Sequence, residues 1–176
     1  MTIRFKLQTK RTISTFLFSV LIFILYKFNF EYSVAVIAGL ILGGIQGAGS
    51  AGLFLIFIAI KNGMEDFNVF SGAILFFASA LSGIIAGHPR EKIGKKEPLK
   101  IITASILSMG LSAYGMYIKD SQVFSANILI FVAQTGICIL SALLFRPIAA
   151  KILYPENKLK DEFNDLISIK NKEEKK

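Results

Sequence analysis

The sequence predicts an all-α membrane protein, a compact bundle of six transmembrane helices in which the second and third helices are short and Gly-rich. Composition is the first reason. The 176 residues are 53% hydrophobic and have a mean hydropathy of +0.59, more than a soluble domain of this size needs. Charge placement is the second reason, because the 20 basic and 12 acidic residues lie almost entirely in the two tails or in short connections. About 20 apolar residues of helix cross a bilayer core of about 30 Å, so this alternation indicates a chain that crosses the membrane repeatedly.

The same composition argues against several classes of function. The net charge of +8 does not indicate nucleic-acid binding, because the basic residues lie beside apolar segments and not on an amphipathic surface. Cys138 is the only cysteine, so neither a disulfide framework nor a paired-cysteine metal site is predicted. No nucleophile is accompanied by an acid or base partner, and we expect neither an enzyme nor a cofactor. No charged residue lies at the centre of an apolar segment, which disfavours a proton pump or an ion channel.

The chain is predicted to divide into three parts. Residues 1–11 form a basic cytoplasmic tail, residues 12–150 the six-helix transmembrane domain, and residues 151–176 a charged cytoplasmic tail. In the second tail, apolar residues such as Leu159 and Phe163 recur at helical spacing between charged ones. This pattern predicts an amphipathic helix that lies on the membrane surface or against a partner.

The first helix is predicted at residues 12–26, directly after the basic tail. A basic start before an apolar run is also typical of a cleaved signal peptide, with a candidate cleavage site at residues 33–35. Removal at that site would leave an odd number of membrane-crossing segments. We therefore expect residues 12–26 to remain as a helix.

The second apolar segment, residues 33–60, carries no charge and is too long for one upright helix. Its centre, residues 43–52, contains five glycines, which weaken a helix and permit a turn. Irregular backbone at membrane depth is tolerated where neighbouring protein buries it. The prediction is therefore two short helices, at residues 33–42 and 47–60, joined by a Gly-rich turn.

Three further helices are predicted at residues 69–87, 101–118 and 125–144. The connection at residues 88–98 is basic and is bounded by prolines, which cannot continue a helix. The positive-inside rule places this connection, the two basic tails and the Gly-rich turn in the cytoplasm. Six helices satisfy the rule everywhere and put both termini on the cytoplasmic side of the cell (inner) membrane, whereas five would separate the two basic tails.

Small residues recur four positions apart in this chain, as at Gly39, Gly43 and Gly47. Such spacing lets helix backbones approach closely, and packing alone would account for it. The functional alternative is that short helices with glycine joints shape a pocket for a small molecule. Its lining would come from the few uncharged polar side chains inside the helices. The candidates are Gln46, Ser71, Asn127, Gln134 and Thr135.

Several short segments resemble the BioY biotin transporters, in the order in which they occur. They are Ile37-Ala38-Gly39-Leu40-Ile41-Leu42-Gly43 with the small-residue run to Gly52, Val69-Phe70-Ser71-Gly72, Ser82-Gly83-Ile84-Ile85-Ala86-Gly87, and Phe145-Arg146-Pro147-Ile148-Ala149-Ala150. Together they cover about residues 33–152. The resemblance implies the substrate-binding subunit of an energy-coupling-factor vitamin importer. Such a subunit captures biotin near the outer face and works with a transmembrane coupling protein and ATPase subunits, without a nucleotide site of its own.

The sixth helix departs from the family's pattern at the position where the substrate is expected. The family usually has an Asp there and a Lys three residues later, and this sequence has Thr135 and Cys138. The resemblance thus adds Cys138 to the candidate substrate-binding residues and leaves open whether the ligand is biotin or a related vitamin. The alternative from another class is a small structural or assembly protein of the membrane. Ligand dependence separates the two, because only a substrate-binding subunit is stabilised by its vitamin.

Overall fold

The computed structural model describes residues 2–28, 30–62, 69–87, 89, 94–119 and 121–154, and the side chains of these except at 2–7, 62, 69, 118–119 and 121–127. All regular structure in these residues is helical, which confirms the all-α prediction. The helices are α1 (Thr2–Leu25), α2 (Glu31–Leu42), α3 (Gly44–Asn62), α4 (Val69–Ala86), α5 (Glu97–Lys119) and α6 (Ser121–Leu153), and one 3-10 turn at Tyr26–Phe28 extends α1.

Among the described residues, four helices are long and apolar enough to cross a membrane, which indicates a membrane-embedded protein. The qualifying segments are Gln8–Phe28, Gly44–Lys61, Glu97–Tyr117 and Ile128–Leu153. The other two apolar helices, α2 and α4, are shorter. At 1.5 Å per residue, the 12 residues of α2 span about 18 Å, well below the roughly 30 Å of a bilayer core.

The predicted break in the second apolar segment is confirmed, and it is tighter than predicted. α2 ends at Leu42, and α3 begins at Gly44. Gly43 alone forms the turn, with a φ of +95° that residues with a side chain rarely adopt. α2 and α3 approach each other most closely at Gly39 and Gly47, because a Cβ added to Gly47 would overlap the Gly39 backbone. The same Cβ would lie 2.9 Å from Ser79 Oγ of α4.

α2 is the central helix of the bundle. It packs against α1, α3, α4, α5 and α6, and nearly all of its residues are buried. One apolar cluster joins α2 to α5 and α6 around Leu40, Met109 and Cys138, and a second joins it to α1 and α3 around Ala35 and Phe54. Short α2 is thus shielded from the surroundings by the longer helices.

Serine hydroxyls help to hold α4 against α2. Ser79 Oγ donates to Ala35 O at 2.6 Å, and Ser82 Oγ donates to Val36 O at 3.0 Å. Apolar contact with lipid is as favourable as apolar contact between helices, so membrane bundles depend on close packing and on interhelical hydrogen bonds of this kind. The small residues of α4 therefore serve packing at this interface.

Several helix boundaries differ from the prediction, most of all the start of α1 and the end of α6. Both α5 and α6 also begin four residues earlier than predicted, at Glu97 and Ser121. α1 begins at Thr2, so most of the residues predicted as a basic tail are helical. α6 continues to Leu153, although it was predicted to end at residue 144 because Arg146 and Pro147 follow. The helix continues there because Arg146 is fully buried among hydrogen-bond acceptors from other helices. The amphipathic helix predicted in the second tail lies outside the described residues.

Candidate functional site

Arg146 organises one end of the bundle, here named the Arg146 end. Its Nε donates to Glu97 Oε1 at 3.0 Å, forming an ion pair in which both side chains are nearly or fully buried. One terminal nitrogen donates to Ala86 O at 2.9 Å and Gly87 O at 2.7 Å, and the other donates to Leu40 O. Arg146 therefore joins α6 to the C-terminal turns of α2 and α4 and to the start of α5.

The acceptors explain why a buried cation is stable at this position. The last carbonyls of a helix have no partner within the helix and carry partial negative charge, so a cation is favourable there. Leu40 lies in the last turn of α2, and Ala86 is the last residue of α4. No local sequence pattern predicts this arrangement, because Glu97 and Arg146 are 49 residues apart and each adjoins a proline.

The ion pair also sets the register of α5 against α6, which run antiparallel. Ser108 lies eleven residues after Glu97, and Thr135 lies eleven residues before Arg146. Both are therefore about 16 Å along the bundle from the ion pair, near the same level. This level is close to the opposite end of α2, here named the Tyr32 end.

Polar side chains collect in the half of the bundle near the Tyr32 end. Tyr32 OH and Ser71 Oγ share a hydrogen bond of 2.7 Å between α2 and α4. Cys138 Sγ donates to Ser33 O at 3.5 Å between α6 and α2. Gln134 is buried one helical turn before Cys138 on α6. Glu31, the first residue of α2, is also buried, although the second helix was predicted to begin only at residue 33.

Four of the six predicted substrate-binding residues belong to this half, and two do not. Ser71, Gln134, Thr135 and Cys138 lie in it, although the Thr135 hydroxyl donates to Phe131 O of its own helix at 2.8 Å. Gln46 lies in the first turn of α3 and so falls at the Arg146 end. The side chain of Asn127 lies outside the described residues. The structure thus brings four candidates to one half of the bundle and separates Gln46 from them.

Two buried hydroxyls in the same half lack a hydrogen-bond partner. Ser33 Oγ on α2 and Ser108 Oγ on α5 are both buried without one, whereas Ser105 Oγ donates to Ile101 O at 2.8 Å. A buried polar group without a partner costs about 1–3 kcal/mol, and in a native structure it marks an unmet contact that needs an explanation. Sequence reasoning missed both residues, because a serine inside a helix normally bonds to its own helix, as Ser105 does.

A groove runs along the outside of the bundle between α1 and α6, with α2 as its floor. Its volume is about 500 Å³, and its lining is almost entirely apolar, with Phe18 and Leu25 from α1 and Ile137 and Ile152 from α6. The groove is open because α1 and α6 touch over a short stretch only. Ser33 is one of its lining residues, so the groove borders the polar half of the bundle.

Among the described residues, no group of three or more His, Cys, Asp or Glu side chains is arranged to hold a metal ion. Comparison of the whole chain with protein-family models, with curated proteins and with solved structures finds no match.

Proposed function

We propose that this protein is the substrate-binding subunit of a membrane uptake system for a vitamin, similar to the BioY biotin transporters. The observation that carries the proposal is the pair of buried hydroxyls without partners, Ser33 Oγ and Ser108 Oγ, in the same half of the bundle as buried Gln134. A ligand that accepts or donates hydrogen bonds between α2, α5 and α6 would satisfy both hydroxyls. Neutral donors and acceptors of this kind suit the ureido group of biotin or a related vitamin, whereas a carboxylate would bind without a charged partner.

In this proposal all six helices cross the cell membrane, and both termini are cytoplasmic. The basic residues support this topology, because Lys10 and Arg11 near the start, Lys95 and Lys96 in the connection before α5, and Lys151 near the end of α6 share one end of the bundle. The positive-inside rule assigns that end to the cytoplasm. The bilayer thins locally to match 12-residue α2, which the surrounding helices cover except along the groove between α1 and α6. The polar half then faces the outside, where a vitamin arrives.

The hydroxyls provide the test of the substrate site. In isothermal titration of the purified protein with biotin, Ser33→Ala and Ser108→Ala should each raise Kd about 2- to 12-fold, because each removes one neutral hydrogen bond worth about 0.5–1.5 kcal/mol. The matched control is Ser105→Ala, whose hydroxyl is already bonded to its own helix. Without ligand, the first two variants should be at least as stable as the natural chain, because they remove an unsatisfied group. Saturable biotin binding with an unchanged Kd in both variants would place the ligand elsewhere.

The two positions that depart from the family's pattern provide a second test. Thr135→Asp with Cys138→Lys restores an acid and a base for the ligand, and two charge-assisted hydrogen bonds in place of neutral ones should lower the Kd for biotin about 30- to 150-fold. Cys138 is fully buried, so the larger lysine reduces packing stability, and the readout is therefore Kd and not the unfolding temperature. Absence of saturable biotin binding in both forms would contradict the biotin assignment.

Uptake also requires partners in this proposal. A transmembrane coupling protein and ATPase subunits supply the energy, and the present chain performs no catalysis. Accumulation of radiolabelled biotin in cells should therefore depend on co-expression of such a module. Accumulation at the same rate without the module would contradict this part of the proposal.

A structural or assembly role is the second candidate, and one observation favours it. The contacts of Gly47 with Gly39, and of Ser79 and Ser82 with α2, are typical of tight helix packing and need no ligand. A scaffold of this kind should show no ligand-dependent stabilisation. A panel of vitamins in a thermal-shift assay separates the two candidates, because a substrate-binding subunit gains stability with its ligand concentration.

A further inference from the structure

The groove between α1 and α6 is apolar along its length and has several basic side chains near one end. Its lining is apolar from Leu25 and Ile137 near the Tyr32 end to Ile41 and Ile152 near the Arg146 end. From Ile137 to Ile152 it follows 15 residues of α6, or about 22 Å. Basic side chains are concentrated at the Arg146 end, where Lys10, Arg11 and Lys151 lie, whereas Lys27 is at the Tyr32 end, two residues after Leu25.

At the Arg146 end of the groove, Arg11 and Tyr154 make contacts that join α1, α2 and α6. Arg11 Nε donates to Leu153 O at 3.2 Å, and the Arg11 guanidinium lies 4.1 Å from the centre of the Tyr154 ring. Tyr154 OH donates to Leu42 O at 2.6 Å, which ties the end of α6 to α2. Burial raises the pKa of the Tyr154 phenol, so its hydroxyl stays protonated and keeps this hydrogen bond. Arg11 is thus held in place at the mouth of the groove.

Two further lysines flank this mouth. Lys10 precedes Arg11 on α1, and Lys151 precedes groove-lining Ile152 on α6, and both lysine side chains are exposed. Long basic side chains near helix ends extend towards the membrane surface. Basic sites between transmembrane helices on the cytoplasmic side are suited to anionic lipid headgroups.

We propose that the groove binds one anionic phospholipid of the cytoplasmic leaflet. One acyl chain lies along α2 between α1 and α6, and the phosphate sits among Lys10, Arg11 and Lys151. The inference rests on the proposed topology, which puts the Arg146 end in the cytoplasm, and not on the identity of any transported substrate.

The dimensions of the groove favour an acyl chain over a helix of a partner protein. About 500 Å³ distributed over about 22 Å leaves an average cross-section of roughly 23 Å². An α-helix with side chains is about 10–12 Å across, which requires roughly 80 Å² or more. The cross-section of a single extended hydrocarbon chain is several times smaller than that of a helix, so the chain fits without movement of α1 or α6.

The charge contribution is tested by lipid titration of the purified full-length chain, measured by native mass spectrometry. The probes are phosphatidylglycerol and phosphatidylcholine with the same palmitoyl and oleoyl chains. Lys10→Gln with Lys151→Gln should weaken phosphatidylglycerol binding about 30-fold, which corresponds to about 1 kcal/mol for each basic residue near the surface. The matched control is Lys96→Gln with Lys100→Gln, which removes two exposed charges near the start of α5. The control should leave binding within about 3-fold.

The groove itself is tested by filling it. Ser141→Phe places a ring among the lining residues, whereas Leu144→Phe enlarges an exposed residue of the same helix that does not line the groove. The first change should abolish the tightest phosphatidylglycerol binding, and the second should not. Equal affinity for the two lipids, equal losses in the two lysine pairs, or unchanged binding in Ser141→Phe would each overturn the proposal.

Discussion

The buried ion pair gives the sharpest prediction of the fold, namely the effect of Arg146→Met. The substitution keeps an unbranched side chain in the space but removes the Arg146 donors to Glu97, Leu40, Ala86 and Gly87, and among the described residues only Gly94 N–H still donates to the Glu97 carboxylate, at 3.2 Å. Glu97 then remains buried without its counter-ion, and the carbonyls at the ends of α2 and α4 lose their partner. Breaking a buried pair by removing one member costs about 3–5 kcal/mol. For a chain of this size, the unfolding midpoint should fall by about 6–20 °C.

The chain contains a suitable reporter for this measurement. It has no tryptophan, but Cys138 is its only cysteine and is fully buried. A dye that fluoresces when it reacts with a thiol therefore reports the temperature at which the bundle opens. Arg11→Met is the matched control, because Arg11 is partly buried and makes one hydrogen bond to a backbone carbonyl. Its loss should be about 1 kcal/mol.

A double variant distinguishes the two parts of the Arg146 effect. Adding Glu97→Gln to Arg146→Met removes the buried negative charge but leaves the carbonyls at the ends of α2 and α4 without a donor. The midpoint should therefore recover only in part. A single variant within about 1 kcal/mol of the natural chain, or a double variant no more stable than the single one, would refute the reasoning.

Two further predictions concern packing and topology. Gly47→Leu should lower the unfolding midpoint strongly, because even a Cβ at that position overlaps Gly39. Gly110→Leu should have a mild effect, because nothing lies within 4 Å of a Cβ there. Equal effects of the two substitutions would contradict close packing of α2 on α3. For topology, a cysteine introduced at Glu65, outside the described residues, should react with an impermeant reagent from outside intact cells, and one at Lys95 should be protected. External labelling at Lys95 would contradict the six-crossing arrangement.

Much of the fold could be predicted because it depends on local properties of the chain. Alternating apolar segments and charged connections locate the helices, and the glycine density of residues 43–52 locates the turn at Gly43. The end of α6 could not be predicted in the same way. A charge next to a proline normally ends a membrane helix, and only contacts with three other helices make Arg146 stable in the interior.

The candidate site also depends on contacts between helices, so less of it could be predicted from the sequence. Uncharged polar residues inside apolar segments are easy to find, and this pattern identifies Ser71, Gln134 and Thr135, whereas Cys138 is a candidate only through the resemblance to the BioY family. Whether such a residue lacks a partner depends on the register between helices, which no local pattern contains. Ser33, Ser105 and Ser108 look alike in the sequence, yet Ser105 is satisfied and the other two are not. Gln46 was grouped with the site because its depth in the bundle could not be assigned.

The central position of α2 has a consequence for the synthesis of the protein. α2 ends at residue 42, but its partner α6 ends at residue 153, so 111 residues separate them in the chain. At about 5–20 residues per second, α2 waits roughly 6–22 s for the helix that covers its Ser33 face. During this interval, a 12-residue helix whose first three residues are polar lacks its final neighbours. Chains released before α6 is complete therefore leave α2 incompletely covered and accessible to proteases and chaperones.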